Sequence, residues 1–168
     1  PNGKSSPEEK KLVRGEVNIP NVPYSGFVTD DVGYISLTVF TQNASNNISK
    51  ALKELKEKNP NMSGVILDLR QNGGGLLHEA VNICNLFVPQ GEIVVTTKGK
   101  VKERDQTFKT LAPPLDLELP LAVLIDKRSA SASEIVSGVI QDMDRGVLIG
   151  QRSFGKGLVQ NTKELPYN

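Results

Sequence analysis

Apolar residues recur along this chain in two rhythms. The short, nearly all-apolar runs "GVILDLR" (64–70) and "LAVLIDK" (121–127) have the length and branching of strands covered on both faces. In "ISKALKELKEKNP" the spacing changes: Ile48, Leu52 and Leu55 share one helical face, and Asn59 with Pro60 ends the helix. "LLHEAVNICNLF" (76–87) and "ASEIVSGVIQDM" (132–143) repeat that helical spacing. "YISLTVF" (34–40), "EIVVTTKG" (92–99), "GVLIG" (146–150) and "LVQNTKEL" (158–165) read as further strands, whereas the prolines of "APPLDLELP" (112–120) exclude regular structure. Strand, polar or glycine-rich turn and helix therefore succeed one another in a ββα-like rhythm, which predicts a layered α/β domain.

Composition narrows this picture. With 168 residues, 38% of them hydrophobic, the chain can bury one ordinary core. Twenty Lys and Arg against nineteen Asp and Glu leave a formal charge of +1, which argues against a nucleic-acid partner. No apolar run approaches the roughly 20 residues that span a bilayer, so no membrane segment is expected. Residues 1–11, "PNGKSSPEEKK", read as a linker. The single cysteine, Cys84, allows no internal disulfide and no cysteine-based zinc site, and its amphipathic setting makes it a core residue.

Three motifs carry candidate chemistry. "DLRQNGGG" (68–75) leaves a buried strand; its glycines suit a tight turn, or a loop whose N–H groups hold an anion. "SASASEI" (129–135) opens a helix. Ser131 and Glu134 have capping-box spacing, yet a serine there also lies where free N–H groups and the helix dipole would stabilise an oxyanion. "GQRSFGKGLVQ" (150–160) approaches the phosphate-binding pattern G-x-x-x-x-G-K-[ST]; but residue 157 is Gly, and strand-like sequence follows where a helix is required. Lys156, flanked by Gly155 and Gly157, is either an exposed turn lysine or an inward-pointing base. His78, the sole histidine, occupies a polar slot of an amphipathic helix, so a serine hydrolase here would need another base, for which lysine is the known substitute.

Together, "GVILDLRQNGGG" and "LAVLIDKRSASASEIVSGVIQDMDRGVLIGQRSFGKGLVQ" resemble the C-terminal processing (tail-specific) proteases, serine endopeptidases with a Ser-Lys centre on a ClpP/crotonase-like α/β core. The upstream "VRGEVNIPNVPY" is similar to the strand that joins the family's PDZ domain to that core. The resemblance implies residues 1–15 as a linker or the end of a removed PDZ domain, and 16–168 as a protease core truncated at its C-terminus. It implies Ser131 as nucleophile, Lys156 as general base, Gln160 as the residue orienting the lysine amine, and Ala132 with Gly75 or Gly74 as oxyanion donors. Asp142 matches a position implicated in some members. It lies eleven residues along the same predicted helix, about 16 Å from Ser131 at 1.5 Å per residue, which makes it a supporting residue at the helix end near Arg145.

The implied reaction is hydrolysis of protein substrates bound in extended form, near their C-termini, without cofactor or metal. The PDZ domain of the same polypeptide is an implied partner, homo-oligomerisation stays open, and the implied compartment is extracytoplasmic, in bacteria the periplasm or cell envelope. The alternative is a peptide-binding or scaffold member that has lost turnover; a nucleotide-binding domain is the weaker rival.

Overall fold

The computed structural model describes residues 9–15 and 19–160. Its elements are β1 (Tyr24–Phe27), β2 (Val32–Ser36), α1 (Ala44–Lys58), β3 (Gly64–Asp68), α2 (Leu77–Phe87), β4 (Ile93–Thr97), a 3-10 turn (Lys102–Arg104), β5 (Gln106–Lys109), β6 (Leu121–Ile125), α3 (Ala132–Asp142) and β7 (Val147–Gly150). Five strands form one sheet in the order β1-β2-β3-β6-β7, while β4 and β5 make a separate antiparallel ribbon. Only β1 is antiparallel to its neighbour; β2, β3, β6 and β7 run parallel. The α/β class expected from the strand and helix rhythms is the one found.

Each parallel connection, β2 to β3, β3 to β6 and β6 to β7, steps across the sheet in the same direction. Right-handed crossovers therefore carry α1, α2 and α3 to one face. Strand register shows the result. Ile35, Leu67, Val123 and Leu148 form one cross-sheet row, and the first three are at most 1% exposed. Burying such side chains stabilises the fold by about 1.5–3 kcal/mol each. The alternate row, Tyr34, Ile66, Ala122 and Val147, is half-buried to exposed. This corrects the expectation of strands covered on both faces: the three helices lie on one side, and the other face is only partly covered, as where Tyr24 packs against Tyr34.

Helix α1 buries Ile48, Ala51, Leu52 and Leu55, the face its spacing predicts. Its amino end is capped from outside: the buried Glu79 carboxylate accepts the N–H groups of Asn43 (2.9 Å) and Ser45 (2.8 Å). Cys84 is fully buried in α2, and burial pushes its thiol up to about 12.

Other expectations need amending. The strand proposed to reach Phe40 ends at Ser36, because the chain then turns so that Thr38 N–H bonds Asn21 O and Phe40 N–H bonds Gly74 O. Residues 158–160 pair with no strand, and the rest of "LVQNTKEL" lies outside the described residues. In "VRGEVNIPNVPY" residues 13–15 and 19–23 contain no strand, and 16–18 lie outside the described residues. Residues 9–15 are exposed and without regular structure; 1–8 lie outside the described residues. Strands β1 and β5, four residues each, were not anticipated.

Candidate active site

The three motifs leave the carboxyl ends of β3, β6 and β7, which are neighbours in the sheet and parallel. They are thereby gathered on one edge, where open α/β sheets commonly build their sites.

The glycine run is fixed by what surrounds it. Phe40 N–H donates to Gly74 O (3.0 Å) and Leu76 N–H donates to Phe40 O (2.8 Å), so the N–H of the intervening Gly75 takes no part in that bridge. Gly74 has φ +98°, and a Cβ there would lie 2.6 Å from Ala130 O and 2.9 Å from Ala132 N. The run thus lies directly against the serine loop. Asn72, fully buried, donates to Leu37 O (2.8 Å) and accepts Gly74 N–H (2.9 Å) on its side chain, while its carbonyl accepts Ala130 N–H (3.1 Å) and the Ser133 hydroxyl (2.9 Å). Because Gly74 N–H is committed to Asn72, Gly75 is the better placed of the two glycines expected to supply an oxyanion donor.

The alternate serines separate cleanly. Ser129 is fully buried; its hydroxyl donates to Leu69 O (2.7 Å) and accepts Asp126 N–H (2.9 Å), tying the end of β6 to the end of β3. Ser133, also fully buried, is held by Asn72. Ser131 alone is partly exposed. It is the N-cap of α3 at φ 56°, ψ −113°, a region that costs a non-glycine residue about 1–3 kcal/mol. Ala132, the first helical residue, is 1% exposed and presents its N–H at the positive end of the helix.

Beyond β7 the chain makes two backbone bonds to the serine side, Gln151 N–H to Ile125 O (3.1 Å) and Phe154 N–H to Ser129 O (3.0 Å). Lys156 follows, half-buried, its amine donating to Gln160 Oε1 at 2.9 Å. The pairing of Lys156 with Gln160 is therefore present, although across coil rather than two steps of a strand. Of the two settings open to Lys156, exposed turn or inward base, the residue occupies an intermediate one, half-buried. Residues 152–160 form no strand, and Phe154 (67%), Leu158 (71%) and Val159 (49%) are exposed.

Glu134 is the residue whose reach the motif analysis missed. Its capping-box bond is present, Oε2 accepting Ser131 N–H at 2.8 Å. The same carboxylate also accepts Lys156 N–H (3.0 Å, Oε2), Gly155 N–H (2.6 Å, Oε1) and the Ser153 hydroxyl (2.8 Å, Oε1). Partial burial would raise its pKa, but the bonds from Ser153, Lys156, Ser131 and Gly155 outweigh it and hold the carboxyl below the usual glutamate value. S-x-x-E spacing could identify the cap; no local signal marks the bonds from a loop about twenty residues downstream.

The remaining candidates lie apart. His78 is exposed on α2 and lines a polar cavity of about 450 Å³ with Asn43, Ser45 and Glu79. Asp142 is exposed at the far end of α3 from Ser131. The role expected for it beside Arg145 is not seen, since Arg145 turns its guanidinium to the carbonyls of Phe87 (2.7 Å), Leu119 (3.0 Å) and Asp116 (3.2 Å). No helix follows Lys156 among the described residues, which removes the context a phosphate-binding loop requires. An apolar cavity of about 420 Å³ lies at the amino ends of β3 and β6, bounded by Val65, Pro120 and Leu121. Neither of these two cavities is lined by Ser131 or Lys156.

The sequence profile described as Peptidase family S41 matches residues 31–168. A carboxy-terminal-processing protease of Bartonella bacilliformis is 39% identical over 168 residues, covering 99% of this chain and 38% of its own length. The chloroplastic carboxyl-terminal-processing peptidase 1 of Arabidopsis thaliana is 36% identical, covering 97% of this chain and 34% of its own length. Among solved structures, the photosystem II D1 C-terminal processing protease superposes with a TM-score of 0.68 at 32% identity, over 77% of this chain and 33% of that one. The chain thus spans well under half the length of these proteins.

Proposed function

The chain belongs to peptidase family S41, and on that footing we propose that it forms the core of a serine endopeptidase in which Ser131 is the nucleophile and Lys156 the general base. The observation that carries the reading is the convergence on one sheet edge of a strained, partly exposed serine at a helix start, a glycine run against it, and a lysine loop bonded to the same helix.

In the proposed reaction the neutral Lys156 amine, its free pair directed by Gln160, takes the proton of the Ser131 hydroxyl. The serine oxygen attacks a peptide carbonyl, and the resulting oxyanion accepts the N–H groups of Ala132 and Gly75, an arrangement worth about 3–4 kcal/mol per donor. Collapse of the tetrahedral species transfers the proton from Lys156 to the leaving amine and leaves an acyl-serine. Water, deprotonated by the same amine, releases the acid and restores the hydroxyl. The donor set requires neither cofactor nor metal. An extended substrate would pair through its main chain beside this cluster.

Protein substrates cut near their C-termini fit the names of the related proteases. Residues 16–168 then form the protease core and 1–15 a linker or the end of a PDZ domain, with that PDZ domain supplied by the same polypeptide and the site of action outside the cytoplasm or in an equivalent lumen. Labelling by a serine-directed fluorophosphonate tests the assignment. Wild-type protein is expected to label and Ser131→Ala not to; Lys156→Arg, which keeps the charge but does not release a proton, is expected to lose proteolysis. Undiminished labelling of Ser131→Ala, or proteolysis by Lys156→Arg, rejects the corresponding role.

A further inference from the structure

The geometry points to Glu134 as a positioning residue that sets the separation of nucleophile and base: one oxygen, Oε2, holds the backbone N–H groups of Ser131 and Lys156 together, while Oε1 clamps the turn between Ser153 and Gly155. The inference rests on the Ser131–Lys156 reading for its catalytic meaning, though the clamp itself does not.

A helix cap needs only one of these four bonds. The other three come from a loop that leaves the edge strand and is otherwise joined to the serine side by the two backbone bonds of Gln151 and Phe154. Without Glu134, residues 155 and 156 would keep no hydrogen bond to α3 among the described residues. The chemistry also requires an ionised carboxylate. All four partners are donors, and a carboxylate offers about four acceptor sites and no proton. Glutamine has nearly the same shape but turns an N–H₂ toward two of those donors, so Glu134→Gln keeps the packing while converting two attractive contacts into repulsive ones.

The test uses the full-length protein with Glu134→Gln and, because that variant could misfold, Ser153→Ala, which removes one Oε1 bond and leaves α3 intact. Two readouts are followed: hydrogen exchange of the peptide covering residues 151–160, and the fluorophosphonate labelling rate as a function of pH. In Glu134→Gln, exchange at Gly155 and Lys156 is expected to rise about tenfold or more, the loss of one charge-assisted bond, with β3 and β6 unchanged. Labelling is expected to slow by a similar factor and its pH midpoint to move, because the backbone that carries the amine is no longer tied to the backbone that carries the hydroxyl. Ser153→Ala should shift both readouts in the same direction by less. Unchanged exchange over 151–160 in both variants, or a loss of protection spread evenly over the core, overturns the proposal. So does slower labelling with an unmoved pH midpoint, which a merely structural cap would give. If Ser131→Ala labels like wild type, the nucleophile reading has failed on its own, and the exchange data still decide the clamp.

Discussion

Three glycines around the site should respond very differently to gaining a single methyl group. At Gly74 a Cβ would meet Ala130 O at 2.6 Å, Ala132 N at 2.9 Å and Ser131 Cβ at 2.9 Å, with φ at +98°. The backbone term alone costs alanine about 1–2 kcal/mol. Two of the three clashing atoms are main chain, so relief requires moving the serine loop, at a further cost of about 1–3 kcal/mol. Gly74→Ala should therefore lose roughly 2–5 kcal/mol, a large part of the 5–15 kcal/mol typical of a domain. Gly155 has φ +81° but open space around it, so Gly155→Ala should lose only the backbone term, about 1–2 kcal/mol. Gly73 has neither a positive φ nor a neighbour within 4 Å, and Gly73→Ala should be neutral or gain up to about 1 kcal/mol through the unfolded chain. Urea unfolding of the three variants measures this order directly. Fluorophosphonate labelling should fall sharply in Gly74→Ala alone, since the added methyl occupies the space between the glycine run and Ala132 N–H. If Gly74→Ala is as stable and as reactive as Gly73→Ala, the close packing of the glycine run on the serine loop is wrong.

Other consequences follow from the same contacts. Ser129→Ala and Ser133→Ala each remove a buried hydroxyl with satisfied partners and should cost about 1–3 kcal/mol in urea unfolding while retaining labelling. Ser131→Gly should do the reverse: it relieves about 1–3 kcal/mol of backbone strain, loses only a few tenths as a cap, and abolishes labelling, so a net destabilisation would contradict the strain. Asn72→Ala should cost about 2–4 kcal/mol, because it leaves Leu37 O and Gly74 N–H without their partner inside the core. Asp68 loses some affinity for its charge through burial, but bonds from Arg70 and Tyr34 hold its folded pKa below the ordinary value of 3.8. A depressed carboxyl contributes stability that is complete above the unfolded value and disappears as pH falls through the folded one. The urea midpoint of wild type should therefore exceed that of Asp68→Asn at pH 7, with the gap closing only below about 3.8.

The elements legible in the sequence were those whose signal is local. Ile48, Leu52 and Leu55 declare α1 by spacing alone, and "VILD" and "VLI" declare β3 and β6 by composition. β1 and β5 carry no such run: "YSGF" and "QTFK" become strands because a partner strand supplies the hydrogen bonds. The one-sided covering of the sheet was equally hidden. An apolar strand reads the same whether its second face meets a helix or solvent, and only the order β2-β3-β6-β7 decides between them. At the site, Ser131, Lys156 and the glycine run were marked by motif, whereas the distinction between Gly74 and Gly75 depends on Asn72 and Phe40, which approach from elsewhere in the chain.

That division explains why the clamp falls where it does. Ser131 follows β6, an interior strand of the sheet, and its loop is pinned by Ser129, Asn72 and Ser133 to the end of β3. Lys156 follows β7, which has no neighbour on its outer side among the described residues, and its loop leaves the sheet with Phe154, Leu158 and Val159 uncovered. A strained residue such as Ser131 persists only when its surroundings over-determine it, and the interior loop supplies that. The edge loop has no such enclosure. Precision there has to come from a few directional bonds, and a carboxylate anchored in the first turn of α3 provides them.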